Sequence, residues 1–231
     1  ADDELISLKF HAMEKRNIQG LKEQVKIWFL EKPYSKYHYK FFQEFIDSDL
    51  FSESERFLVS FRDKVYERDY QAAFEMLQVI EDDFEKDGLL YPQLTEQLAS
   101  DMGKVFLYGS NDSLKSADRL TQLAEFYAGS PLEFYWWFYA GRMYDKVKNY
   151  NSKVTGSYRK AVECTDNLQK KDNARWYLLR AGLKDSVLKT IEDVKNNLTD
   201  FADPSYYDDF FDLLAPLLLN QGYYEELGNL Y

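Results

Sequence analysis

Four residues in the stretch from Ser130 to Ala161, SPLEFYWWFYAGRMYDKVKNYNSKVTGSYRKA, restrict the fold more than any other feature of the chain. Trp137, Ala140, Gly141 and Tyr144 recur at i, i+3, i+4 and i+7, which gathers them on one face of an α-helix and would divide them between the two faces of a strand. A glycine inside a helix costs about 1 kcal/mol relative to alanine, so Gly141 is expected where a second helix must come close. That second helix follows the turn-prone Asn149 to Ser152, with Val154, Tyr158 and Ala161 again spaced by four and three. Ser130, Pro131 and Glu133 supply the start of the first helix: a cap hydroxyl, a proline suited to the first helical position, and a capping-box glutamate. The helix is predicted to begin at Pro131, and the whole stretch reads as a helical hairpin with a glycine at its crossing.

The same punctuation continues along the chain. Leu5, Ile6, Leu8, Phe10, Ala12 and Met13 form an amphipathic pattern ending near Arg16. Gly20 precedes a helix over 21–30 that Pro33 stops, and Ser35 starts a third through Tyr37, Phe41, Phe42, Phe45 and Ile46. Ser52 and Glu55 offer a capping box ahead of Phe57, Leu58, Phe61 and Val65, and a fifth helix is expected from about Tyr70 to Phe84 with Gly88 as its stop. Pro92 opens a sixth helix ending at Tyr108 and Gly109, and Ser113 begins a seventh that Gly129 closes. Beyond the central pair, Asp172 is expected to cap a helix bearing Trp176 and Tyr177, and Ser186 one with Val187, Ile191 and Val194. The helix after Asp203 and Pro204 is expected to kink or end near Leu214, because Pro216 lacks a backbone donor. A final helix runs from Gly222 to Tyr231.

Trp137-x-x-Ala140-Gly141-x-x-Tyr144 followed by Val154-x-x-x-Tyr158-x-x-Ala161 resembles a tetratricopeptide unit. Three positions depart from the family pattern, which has Leu at Ala140, Ala at Val154 and Pro near Asp166, and the connection carries one extra residue. Helices and turns of roughly 18 residues give hairpins of roughly 35, close to the family's period of 34. The resemblance therefore implies an all-α fold: a right-handed solenoid of about six antiparallel helical hairpins, forming one continuous domain over 1–231. It also implies a concave binding surface. On the helical wheel Tyr135, Phe138, Arg142 and Asp145 occupy the arc next to the Trp137 face, and matching Trp176 to Trp137 adds Tyr177 and Lys184. These six are the expected partner-binding residues, with aromatic faces for apolar or proline-rich segments and cations for a carboxylate. The chain is also similar to the non-catalytic superhelix of bacterial soluble lytic transglycosylases. Glu53-Ser54 matches the Glu-Ser pair of their catalytic region, but the Gly-Leu-Met-Gln segment that should follow is missing, so Glu53 is given no catalytic role.

Composition narrows the functions further. A hydrophobic content of 45% with 30% charged residues suits a globular chain of 231 residues, and no apolar run approaches the ~18 residues of a membrane span. Forty acidic against 29 basic residues leave a net charge of −11, which repels phosphate backbones, so nucleic acid is not expected as a partner. The pairs Lys146 with Lys148 and Lys170 with Lys171 read as solvated helix ends. One cysteine, Cys164, rules out an internal disulfide framework and reads as a small apolar filler. His11-x-x-Glu14 shares a helix face but lacks further ligands for a metal. No phosphate-binding loop, dinucleotide fingerprint or nucleophile elbow is present, and neither a catalytic residue nor a cofactor is expected. The function expected from the sequence is a non-catalytic helical-repeat scaffold for a protein or peptide. The alternatives are the transglycosylase superhelix without its catalytic module and, from the 17% aromatic content, a binding protein for a small hydrophobic ligand. The missing initiator Met leans toward an exported or periplasmic chain.

Overall fold

Local signals set the helix starts. Four side-chain oxygens each accept an otherwise orphan backbone N–H: Thr95 from Leu98 at 3.2 Å, Asp112 from Lys115 at 3.0 Å, Asn167 from Lys170 at 3.1 Å and Ser186 from Lys189 at 3.3 Å. The computed structural model describes residues 53–87, 95–197 and 201–229, together with Leu8, His11, Ala12, Lys15, Arg16, Gly20 and Gln24. Among the described residues there are ten α-helices and no strand: α1 (Glu53–Tyr66), α2 (Tyr70–Asp87), α3 (Glu96–Gly109), α4 (Ser113–Phe126), α5 (Glu133–Tyr144), α6 (Asn151–Glu163), α7 (Leu168–Gly182), α8 (Val187–Asn197), α9 (Ser205–Gln221) and α10 (Tyr224–Gly228). The helices expected before residue 53, and the signals at Ser52, Gly88 and Pro92, lie outside the described residues, the isolated positions named above apart. No helix among the described residues is long and apolar enough to cross a membrane.

Internal contacts divide the chain into two compact units, Ala1–Leu90 and Tyr91–Tyr231. In the first, α1 packs on α2 across a short turn where Arg68 takes a positive φ of 62°. Val59, Phe61 and Val65 of α1 and Ala73 and Leu77 of α2 are buried.

In the second unit each of the helices from α4 to α7 packs on its successor, and α3 packs on α5, a pattern compatible with stacked helical hairpins. The core here is built on α5: Trp136 and Met143 are fully enclosed, alongside Leu120 of α4, Met102 and Phe106 of α3 and Tyr158 of α6. Burying a methionine or leucine of this kind contributes roughly 1.5–3 kcal/mol. Val187 and Ile191 of α8 form a further apolar cluster with Phe210, Leu214 and Leu218 of α9.

Four local expectations are corrected. The central helix starts at Glu133, because Ser130 and Pro131 belong to a preceding turn: the Glu133 N–H reaches the Ser130 carbonyl, and the Glu133 carboxylate folds back to accept Gly129 N–H at 2.6 Å. Asp172 caps nothing of its own helix. Asn167 does that, while Asp172 lies within α7, 1% exposed. Pro216 does not end α9, which continues through it to Gln221; the buried Leu214 and Leu218 on either side offset the one backbone bond that proline removes. Gly222 is therefore the stop of α9 rather than a start, with φ 78° and a Tyr223 N–H to Leu218 carbonyl bond closing the end, and the final helix covers Tyr224–Gly228.

Candidate functional site

The sequence of α5, EFYWWFYAGRMY, is apolar almost all round, and its two arcs meet different neighbours. On the first arc Trp137, Ala140, Gly141 and Tyr144 are all buried. A Cβ on Gly141 would come within 2.8 Å of the Tyr158 ring on α6, so the glycine does sit at a close helix crossing. Trp137 donates its indole N–H to Glu133 at 3.0 Å and carries the Lys160 ammonium 3.9 Å above its ring. Tyr144 donates to Asp118 of α4 at 2.6 Å and stacks on Tyr150.

The second arc faces α7 and α3: Tyr135, Phe138 and Arg142 lie along it and Asp145 just past its end, while Tyr177 of α7 and Lys184, beyond the end of α7, meet it from across the seam. Phe138 is 6% exposed, enclosed edge-on by Tyr177 at 5.3 Å and beside Tyr158 at 6.0 Å. The Arg142 guanidinium lies 4.6 Å over the Tyr177 ring. Asp145 pairs with Lys184. Tyr135, half-buried, donates its hydroxyl to Glu96 of α3 at 3.1 Å. The arrangement follows from spacing: residues three, four and seven apart on α5 form one ridge about 10 Å long from Tyr135 to Arg142, and Tyr177 on α7 and Lys184 in the turn after it are seven apart in the same way.

At the Tyr135 end the ridge opens into a cleft of about 290 Å³, walled by Phe134, Phe138 and Tyr139 of α5, by Asn167, Lys170 and Asn173 at the start of α7, and by Tyr206 of α9. Lys170 is the cation of this cleft. It bonds Glu96 at 2.5 Å and lies 4.7 Å over Tyr135 and 5.5 Å over Phe134, so it is a partly buried clamp between α7, α3 and α5 and not the solvated helix end that the sequence suggested. The Lys170 bond holds the Glu96 carboxyl below the usual range. Burial pulls the Lys170 ammonium down, but its bonds to Glu96 and Tyr135 outweigh that and raise it. Burial also raises the hydroxyls of Tyr135, Tyr139 and Tyr206. At neutral pH the cleft thus presents neutral hydroxyls, neutral carboxamides and one internally balanced ion pair.

Sequence reasoning missed Glu96, Lys170, Asn173 and Tyr206. The one signal available was in the segment NARWYLLRAGL, whose first residue is Asn173: a carboxamide one turn after a helix start and one turn before Tyr177. Lys146 also departs from its reading as a free helix end, because its ammonium donates to the Leu107 carbonyl near the C-terminus of α3.

A second depression, on the first arc, is lined by Trp137, Lys160, Glu133 and Cys164. Burial pushes the Cys164 thiol up to about 11, which leaves it a poor nucleophile.

Comparison with protein families, with curated proteins and with solved structures gives no match in any of the three. The class that the fold and the cleft define is a helical protein with an aromatic, amide-lined cleft beside a charged ridge.

Proposed function

We propose that the chain is a non-catalytic interaction module that holds a peptide segment of a partner protein along the seam between α5 and α7. The observation that carries this reading is the convergence of Tyr135, Phe138, Arg142, Asp145, Tyr177 and Lys184 on one ridge that runs into the open cleft at Tyr135. A ridge about 10 Å long spans three residues of extended chain, and the half-buried rings of Tyr135 and Tyr206 offer faces to an apolar side chain. Absence of chemistry is part of the proposal. It is supported by the titrating groups of the cleft, whose tyrosines are driven away from the neutral range and whose carboxylate is already paired.

The test is binding of the full chain to an array of 12-residue peptides, comparing the unaltered protein with a Tyr135→Ala, Tyr206→Ala double variant. Loss of about 1–1.5 kcal/mol per ring predicts a drop of 30-fold or more for the double variant. An array on which nothing binds, or on which the double variant binds equally well, refutes the proposal.

A further inference from the structure

Three cations were available to select an anionic ligand, and the structure accounts for each. Lys184 is paired with Asp145 and Lys170 with Glu96, while Arg142 rests on Tyr177 and does not line the cleft. Inside the cleft the charge is balanced, so a carboxylate entering it would have to displace Glu96 from Lys170 and leave that glutamate with only the Tyr135 hydroxyl. The unspent polar capacity is of another kind. Asn167 uses its carboxamide oxygen to cap α7. The exposed Gln169 and the half-buried Asn173 both line the cleft, and among the described residues neither side chain has a hydrogen-bond partner. A carboxamide offers two donors and an acceptor, the complement of a peptide group.

Their spacing selects the ligand further. Gln169 and Asn173 are one turn apart on the same face of α7, with roughly 5–6 Å between their Cβ atoms. In an extended chain, peptide groups on the same edge recur every two residues, about 6.6 Å. Resting on the peptide-binding reading above, we infer that the cleft recognises the main chain of an extended, uncharged segment, read by the carboxamides of Gln169 and Asn173, and not a terminal or side-chain carboxylate.

The experiment uses the full chain and three versions of each array peptide that binds: N-acetylated and C-amidated, the same with a free C-terminal carboxylate, and the capped form N-methylated at alternate peptide nitrogens. The capped form is expected to bind as well as the free acid, unaltered between 0.05 and 0.5 M NaCl, because no charge pair drives it. Asn173→Ala is expected to weaken binding roughly tenfold and the Gln169→Ala, Asn173→Ala double variant further, with N-methylation having a comparable effect. Arg159→Ala, at an exposed position of α6 away from the cleft lining, is expected to change affinity less than threefold. If peptides bind but require the free carboxylate or acidic side chains, and Arg142→Ala or Lys184→Ala abolishes binding, this inference is wrong while the peptide-binding reading stands. If capped peptides bind indifferently to Asn173→Ala and to N-methylation, it is also wrong. If no peptide binds, or an uncharged oligosaccharide binds in place of every peptide, both readings fall.

Discussion

Three helical glycines give different forecasts for the same substitution. At Gly103 on α3 an alanine Cβ would lie 2.0 Å from Cδ2 of Tyr139 and 2.5 Å from two further ring atoms. Tyr139 is 7% exposed and its ring meets Phe138 edge-on at 5.4 Å, so it can retreat to ordinary contact distance only by disturbing α5. Overpacking of this severity belongs at the upper end of the usual penalty, about 3 kcal/mol, from which the better helix propensity of alanine recovers about 1. The net loss of about 2 kcal/mol corresponds to a thermal midpoint about 4–8 °C lower for a chain of this size. At Gly141 the Cβ would stand 2.8 Å from Tyr158, a shortfall of a few tenths of an ångström that propensity nearly offsets. Gly141→Ala is therefore expected within about 2 °C of the unaltered protein, whereas Gly141→Leu, which carries the penalty without room to relax, falls by several degrees. Gly156 on α6 meets nothing within 4 Å, so Gly156→Ala is expected to raise the midpoint by about 1–4 °C. Scanning calorimetry of the four variants checks the order. A Gly103→Ala midpoint at or above that of Gly156→Ala would refute the close approach of α3 to Tyr139.

Other outcomes follow from single contacts. Asp172 accepts the backbone N–H groups of Ala202 at 2.8 Å and Asp203 at 3.0 Å, so Asp172→Ala should cost about 1–3 kcal/mol and speed hydrogen exchange at those two amides, with Asp172→Asn recovering part of the protection. Because Lys170 depresses the Glu96 carboxyl, that pair contributes stability above the unfolded glutamate value of about 4.3 and loses it as pH falls through the lower folded value. Glu96 is substantially exposed, so the contribution is under about 1 kcal/mol, and Lys170→Met should return the Glu96 carbon-13 titration to its ordinary midpoint. With its thiol at about 11, Cys164 should react with iodoacetamide at pH 7.5 about a hundredfold more slowly in the folded chain than in urea; equal rates would mean that the thiol is not shielded by burial.

The sequence by itself determined the helices, because helix formation is decided over a few residues. A cap such as Ser186 satisfies a backbone group three positions away, and the Trp137, Ala140, Gly141, Tyr144 face was legible because i, i+3, i+4 and i+7 spacing reports which side must be covered. The same spacing puts Tyr135, Phe138 and Arg142 on one arc of α5, where Phe138 and Arg142 meet Tyr177, while Asp145 just past that helix meets Lys184. Only the tertiary structure decided which distant group each polar side chain would meet. Asp172 resembled a cap in sequence and instead holds the chain thirty residues onward. Lys170 resembled a solvated end and instead pairs with Glu96, 74 positions away. Pro216 was expected to kink or end its helix near Leu214, but the helix runs on to Gln221, where apolar burial on both sides of the proline outweighs one missing hydrogen bond. The cleft belongs to this second class. Its walls come from α3, α5, α7 and α9, and a property that exists only where four helices meet leaves no periodic signal in any one of them.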